Sequence, residues 1–204
     1  MAIHDEHERP SAQAASGSFG PGDSVGRTRK GGEAQTTQHT APQAFRDPMT
    51  ERIVEFLFGI GLNVKMAPIE GRAILPGITI EDGVVIVDEA ALKHPGDLLH
   101  EAGHVALTPP PDRPSLNLNA GDDPGEEMAA IAWSYAAALH LGLDPAVVFH
   151  ADGYRGGSES ILENFADGHT FGVPVLQWLG MAARDDDDGM PPYPRMIKWV
   201  REDH

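Results

Sequence analysis

The stretch His100-Glu101-Ala102-Gly103-His104 decides how this chain is interpreted. Residues four apart in an α-helix lie one turn apart on the same face, so the two imidazoles can bind one metal ion together. Glu101 lies beside the first histidine and can reach a water molecule on that ion, where a carboxylate acts as general base. The spacing therefore predicts a Zn²⁺ site in which His100 and His104 are ligands.

The residues around the motif favour a buried helix. Two leucines precede it, Val105-Ala106-Leu107 follows it, and the proline-rich residues 108–111 end it. Apolar residues on both sides of a polar motif are typical of a helix in the core. We predict a helix over about 95–107, and the small residues Ala102 and Gly103 would let another element pack close to it.

Composition narrows the chemistry and the partners. The chain has 204 residues and no cysteine, which excludes disulfides, thiolate ligands and cysteine nucleophiles and leaves histidine and carboxylate as metal ligands. The net charge of −16 comes entirely from residues 47–204, so a phosphate backbone would be repelled and we expect no nucleic-acid partner. The first ten residues are polar and no stretch is long enough to span a bilayer, so we expect no membrane contact and a cytoplasmic location.

The composition changes near residue 46. Residues 11–44 consist mainly of Gly, Ser, Thr, Gln, Ala and Pro and contain almost no large apolar side chain. Such a segment buries too little surface to offset the entropy of ordering it. We therefore predict a disordered tail over residues 1–46 and one domain over residues 47–204.

The domain has the pattern of an α+β fold. The spacing of apolar residues predicts a helix at about 49–58, and β-rich segments within 63–88 predict a small antiparallel or mixed sheet. We expect this sheet to pack on the motif helix and on a second helix that carries an acidic ligand. Further helices are predicted at 126–141, 158–166 and 173–181, with an acidic turn at 185–188 and a short amphipathic end at 194–201.

A third protein ligand would leave one position of a four-coordinate zinc ion open for water. The metzincin pattern requires Gly at 107 and His at 110, and this chain has Leu107 and Pro110, which excludes that class. Glu127 opens a helix whose other residues on the same face are too apolar for solvent, so an ion partner would explain its carboxylate. Glu126 offers nearly the same geometry and stays the alternative third ligand, and Asp152 is a minor option.

A strand, a helix with His-Glu-Ala-Gly-His and a second helix that opens with Glu-x-x-Ala resemble the zincin metallopeptidases with a glutamate third ligand. The compact spacing is most similar to minimal zincins such as the ImmA/IrrE family, and the resemblance covers about residues 83–140. It implies a zincin-like fold, Zn²⁺ held by the two histidines and Glu127, and hydrolysis with Glu101 as base. It also implies that the strand at 84–88 forms a sheet edge along which a peptide substrate lies.

Hydrolysis also needs a hydrogen-bond donor to the oxyanion that forms when water attacks a carbonyl. Candidate donors lie in the loop at 150–157, where Tyr154 or His150 could serve. The chain is thus interpreted as a zinc metallopeptidase that acts on a peptide or protein substrate. The alternative is a metal-binding regulatory or interaction protein that keeps the same scaffold without efficient proteolysis.

Overall fold

Three short strands form a mixed sheet that precedes the motif helix along the chain. The structure is a computed structural model that describes residues 44–117, 123–184 and 189–202. β1 (Val64–Met66) pairs in parallel with β3 (Val84–Val87), and β2 (Ile78–Glu81) pairs antiparallel with β3 on its other side. The strand order is therefore β1-β3-β2, and the combination of this sheet with helices confirms the α+β class.

The expectation that residues 84–88 form a sheet edge is wrong. β3 is the central strand, because Val85 lies opposite both Val64 of β1 and Ile80 of β2. The physical reason is its composition: β3 is a continuous run of Val and Ile, and its last three residues are buried. A continuous apolar run is typical of a strand whose two faces are both covered by other parts of the fold. The edge strands of the sheet are β1 and β2.

Five α-helices accompany this sheet in the described part of the chain. The helices predicted at 49–58 and 158–166 are confirmed, and the motif helix begins two residues later than predicted. The helix predicted at 173–181 ends early, at Trp178, and Gly180 follows with a φ of +67°. The helices are α1 (Pro48–Gly59), α2 (Asp97–Leu107), α3 (Pro124–His140), α4 (Ser158–Ala166) and α5 (Val173–Trp178).

Two of the predicted segments fall wholly or mostly outside the described residues. The acidic turn at 185–188 is one, and the predicted tail is the other, since only its residues 44–46 are described. Phe45 is buried in the core with 6% of its surface exposed, and Glu89 accepts hydrogen bonds from the backbone N–H groups of Arg46 and Asp47. The packed part of the chain therefore begins before residue 47, because Phe45 is a large apolar side chain that the core can bury.

The helix α2 is a core helix. Every one of its residues except His100 is buried. The residue that faces α3 is Gly103, where an added β-carbon would lie 3.3 Å from Cε3 of Trp133 and 3.4 Å from the carbonyl oxygen of Ala130. Absence of a side chain at this point lets the two helices approach closely, as the small residues of the motif predict.

The start of α3 is fixed by a side-chain cap. Asp123 has an extended backbone, and its carboxylate accepts hydrogen bonds from the backbone N–H groups of Gly125 at 2.6 Å and Glu126 at 3.2 Å. Asp is among the residues that satisfy free N–H groups at a helix start, and proline at the first helical position favours the same start. Glu126 and Glu127 consequently lie in the first turn of α3.

The C-terminal segment packs across α2 and α3 without forming a helix of its own. The indole N–H of Trp133 donates to the carbonyl oxygen of Trp199 at 2.9 Å, and the backbone N–H of Arg201 donates to that of Ala106 at 2.8 Å. These bonds fasten the end of the described chain to both helices of the motif region. In the described ranges, no helix combines the length and apolar character needed to cross a membrane.

Candidate metal centre

His100, His104 and Glu127 come together where α2 meets the first turn of α3. The Nε2 atoms of the two histidines lie 3.2 Å apart. One carboxylate oxygen of Glu127 lies 3.6 Å from Nε2 of His100, and the other lies 3.3 Å from Nε2 of His104. Two nitrogens and a carboxylate thus face a common point.

The spacing of these atoms fits a zinc ion. Zn²⁺ holds nitrogen and oxygen ligands at about 2.0–2.2 Å in a tetrahedron, which places the ligand atoms about 3.3 Å from one another. The three observed separations, 3.2, 3.3 and 3.6 Å, lie close to that edge length. The donor set is also suitable, because imidazole and carboxylate are ordinary ligands of Zn²⁺.

The protonation states of the ligands favour binding of a cation. Burial, with a further contribution from His104, lowers the pKa of His100, so its imidazole is neutral near pH 7 and keeps a free lone pair. A hydrogen bond with His104 lowers the pKa of Glu127, against the opposing effect of partial burial, so this carboxylate is ionised. A neutral imidazole and an ionised carboxylate are the forms that bind metal.

The two glutamates at the start of α3 are not equivalent in the structure. Glu127 belongs to the group with both histidines, and Glu126 does not, although the two are adjacent. Consecutive residues of a helix point about 100° apart, so only one of them can face α2. Asp152, the minor option from the sequence, lies 3.0 Å from Nζ of Lys93 and is largely exposed.

Glu101 is a buried carboxylate at the wall of a cavity that the candidate ligands His100 and Glu127 also line. Only 6% of its surface is exposed, and burial raises its pKa to about 7, with the nearby acids Asp97 and Glu127 adding to the rise. No group in the described part of the chain donates a hydrogen bond to it. A buried carboxylate without a hydrogen bond is costly, so it is available for a water molecule or a substrate in the cavity.

Tyr154 contacts the candidate ligand His100. Its ring meets the His100 ring edge to face, with centroids 5.4 Å apart and planes at 82°. Burial, and then the charges of Glu127, Asp97 and Glu101, raise its pKa, so the phenol stays protonated. Its hydroxyl has no hydrogen-bond partner within the described ranges and can donate into the cavity.

His150 has a different environment from Tyr154. Its Nε2 lies 2.8 Å from a carboxylate oxygen of Asp97, and its ring stacks on His94 with centroids 3.7 Å apart. Its Nδ1 is buried and has no hydrogen-bond partner among the described residues. The structure therefore engages His150 with Asp97 at the start of α2, which favours a role in holding the loop and leaves Tyr154 as the freer donor.

One cavity of about 350 Å³ is lined by all of these groups except His104. Sequence reasoning missed several of its charged residues. Asp97 could have been found, because it lies one turn before Glu101 on the same helix face. His94, Lys93 and Arg155 carried no comparable signal, since their loops reach the cavity only through the tertiary fold. The charged and histidine side chains that line it are Lys93, His94, Asp97, His100, Glu101, Glu127, His150, Asp152 and Arg155.

Comparison with protein-family models, with curated proteins and with solved structures finds no match to this chain. The arrangement of the residues is therefore the basis for assigning a function. It combines a His-His-Glu group, a buried carboxylate next to it and a phenol that stays protonated, and one cavity is lined by His100, Glu127, Glu101 and Tyr154.

Proposed function

We propose that the protein is a zinc-dependent metallopeptidase with a zincin-like arrangement of its two active-site helices. The observation that carries the proposal is the His100, His104 and Glu127 group, whose ligand atoms lie 3.2–3.6 Å apart beside the buried Glu101. A purely structural cluster would not need an additional buried acid at the same cavity. A hydrolytic zinc site needs one, as a base for the attacking water.

Zn²⁺ bound to these residues supplies a Lewis acid that polarises a carbonyl oxygen and makes a water molecule more acidic. Glu101 accepts the proton of the attacking water and then passes it to the leaving amine. Its pKa of about 7 suits both steps, because a base with a pKa near the working pH can take up and release the same proton.

Tyr154 stabilises the negative charge that develops on the carbonyl oxygen. Its hydroxyl stays protonated because burial and three nearby carboxylates raise its pKa. Preorganised donors of this kind act strongly where water is excluded. His150, whose Nε2 is engaged with Asp97, fixes the loop from which Tyr154 projects.

The peptide enters from the side of the cavity that Leu75 and Pro76 line, just before the edge strand β2. In this proposal the peptide lies next to Leu75 and Pro76, and not along the central strand β3. The backbone of Leu75 already pairs with Ile78 across a tight turn, which holds this wall in place.

Cleavage by the zinc-loaded protein tests the proposal. The full chain is incubated with a mixture of unstructured peptides, and new termini are identified by mass spectrometry. We expect cleavage that needs zinc and falls by more than about 100-fold in Glu101→Gln, while that variant still binds one zinc ion per chain. Equal turnover in Glu101→Gln and wild type would contradict the mechanism.

A second candidate function is a metal-binding interaction protein on the same scaffold. It is favoured by the engagement of His150 with Asp97, which leaves a single candidate donor for the oxyanion. Zinc binding in wild type together with no cleavage of any peptide would support this second function over the first.

A further inference from the structure

Two charged side chains at the cavity have no partner within the described residues. One is Glu101, which the proposed function uses, and the other is Arg155. The other cations and acids that line the cavity are paired: Lys93 with Asp152 at 3.0 Å, Asp97 with His150 at 2.8 Å, and Glu127 with the two histidines.

Arg155 is set apart from the other exposed arginines by its position. Arg52, Arg72 and Arg195 are also exposed and make no side-chain hydrogen bond or salt bridge among the described residues, but they do not line this cavity. Arg155 lies exposed at the cavity wall, next to Tyr154. Its guanidinium is always charged and carries donors in a planar fork that matches a carboxylate.

The backbone that carries Arg155 is held in a costly conformation. Tyr154 and Arg155 have φ of +50° and +52°, and Gly156 continues the left-handed run at +85°. Such a conformation costs about 1–2 kcal/mol at each residue other than glycine and persists only where the surroundings impose it. Side-chain and backbone hydrogen bonds hold this turn, because the Ser158 hydroxyl donates to the carbonyl oxygen of His150 at 2.6 Å.

The same turn is fastened to the metal-binding helix. His150 begins the loop and contacts Asp97 in the first turn of α2, and the Tyr154 ring contacts the candidate ligand His100. The position of Arg155 is therefore fixed relative to the candidate ligands, one residue after the group proposed to stabilise the oxyanion. A substrate group that reaches Arg155 lies close to the bond being cleaved.

We infer that Arg155 is a specificity residue that binds a carboxylate of the substrate near the scissile bond. The inference rests on the proposed function and names its substrate class: peptides with an acidic group beside the cleaved bond. This carboxylate can come from an Asp or Glu side chain or from a free peptide C-terminus, and both present the same planar anion to the guanidinium.

Binding to an inactive form of the protein tests this inference without requiring turnover. The zinc-loaded full chain with Glu101→Gln is mixed with a pool of equal-length peptides that differ at one position, where Asp, Glu, Asn, Gln, Ala, Lys or Arg is placed. One half of the pool ends in a carboxamide and the other half in a free carboxylate. We expect acidic peptides to bind about 10- to 100-fold more tightly than their amide counterparts.

The Arg155 variants separate the subsite from direct binding of carboxylates to zinc. Arg155→Ala, added to Glu101→Gln, should remove the acidic preference while zinc content stays at one ion per chain, and Arg155→Glu should reverse it toward Lys and Arg. Arg52→Ala, which removes an exposed arginine on α1, should keep the preference. If Arg155→Ala does not fold, Arg155→Lys keeps the charge without the fork and should weaken the preference.

The two halves of the pool identify the source of the carboxylate. A preference for Asp or Glu over Asn or Gln that is present in both halves of the pool supports a side-chain subsite. Tighter binding of peptides with a free C-terminus, whatever residue is varied, supports a terminal subsite. An acidic preference that persists unchanged in Arg155→Ala, or its absence in the parent protein, would overturn the inference.

The native chain separates failure of this inference from failure of the proposed function. Cleavage by the wild type without any acidic preference leaves the peptidase standing and removes the Arg155 subsite. Acidic binding that depends on Arg155 but is followed by no cleavage supports the subsite and contradicts the peptidase.

Discussion

Gly103 lies against Trp133 so closely that a β-carbon at Gly103 would be 3.3 Å from Cε3 of the indole. This contact sets the distance between α2 and α3. Because His100 and His104 belong to the first helix and Glu127 to the second, the same distance sets the separation of the candidate ligands. The glycine of the motif is therefore connected to the candidate metal site by packing.

Replacing Gly103 with alanine should weaken zinc binding by about 10-fold while changing the free energy of unfolding of the metal-free protein by less than about 1 kcal/mol. Alanine gains about 1 kcal/mol of helix propensity, but its methyl group presses on a buried indole and on the backbone of Ala130. Zinc titration and chemical denaturation measure the two effects.

Gly59→Ala is the matched control for this change. Gly59 is a helical glycine in α1 with open space around it, so the variant should gain stability and bind zinc normally. A zinc affinity in Gly103→Ala equal to that of Gly59→Ala would show that the helix spacing does not control the site.

Replacing Glu127 with glutamine should lower the affinity for zinc by at least about 100-fold, because the amide cannot supply the charge of a carboxylate ligand. The same change at Glu126 should leave the affinity within about 2-fold, since Glu126 lies outside the ligand group. Competition with a chromophoric chelator measures both. Equal losses in the two variants would contradict the assignment of Glu127.

Replacing Glu101 with glutamine should stabilise the metal-free protein at high pH. Burial raises the pKa of Glu101 to about 7, so its contribution to stability is present below about pH 4.5 and is lost as the pH rises through 7. Glutamine has no proton to lose. The difference in free energy of unfolding between variant and wild type should thus grow by up to about 3 kcal/mol between pH 4.5 and pH 8.

Urea denaturation across this pH range checks the prediction. Glu163→Gln, which changes an exposed acid on α4, should show no comparable growth with pH. A difference between Glu101→Gln and wild type that does not depend on pH would mean that Glu101 is not buried as the structure shows.

Replacing Tyr154 with phenylalanine should lower kcat by about 100-fold with little change in KM, because a donor to the oxyanion acts in the transition state. The ring and its contact with His100 stay in place, so zinc binding should not change. Tyr135→Phe, which removes a hydroxyl from a ring stacked on Phe165 outside the cavity, is the control. A rise in KM alone would assign Tyr154 to substrate binding.

The grouping of His100 with His104 could be predicted from the sequence because it is local. The two histidines lie one helical turn apart, so helical geometry alone puts them on a shared face, with Glu101 next to His100. The small size of Gly103 and the position of Glu127 at a helix start were also visible, and the structure places both where α2 meets α3.

The surroundings of the site could not be predicted, because they depend on contacts between distant segments. The sequence did not decide whether Glu126 or Glu127 is the third candidate ligand. Glu127 lies at the histidines because of the way α3 is rotated against α2. The resemblance to zincins implied that residues 84–88 form an edge strand with one unpaired side. In the structure, β1 pairs with β3 on that side.

Spacing and polarity along the chain were enough to predict a candidate metal-binding motif, its helix and the α+β class. Tertiary packing selects which acid joins the histidines, brings Asp97 to His150, and turns Arg155 to the cavity without a partner in the described ranges. The reason is physical: helical periodicity is a local property, but a cavity is closed by segments far apart in sequence. Their approach depends on the packing of the whole core.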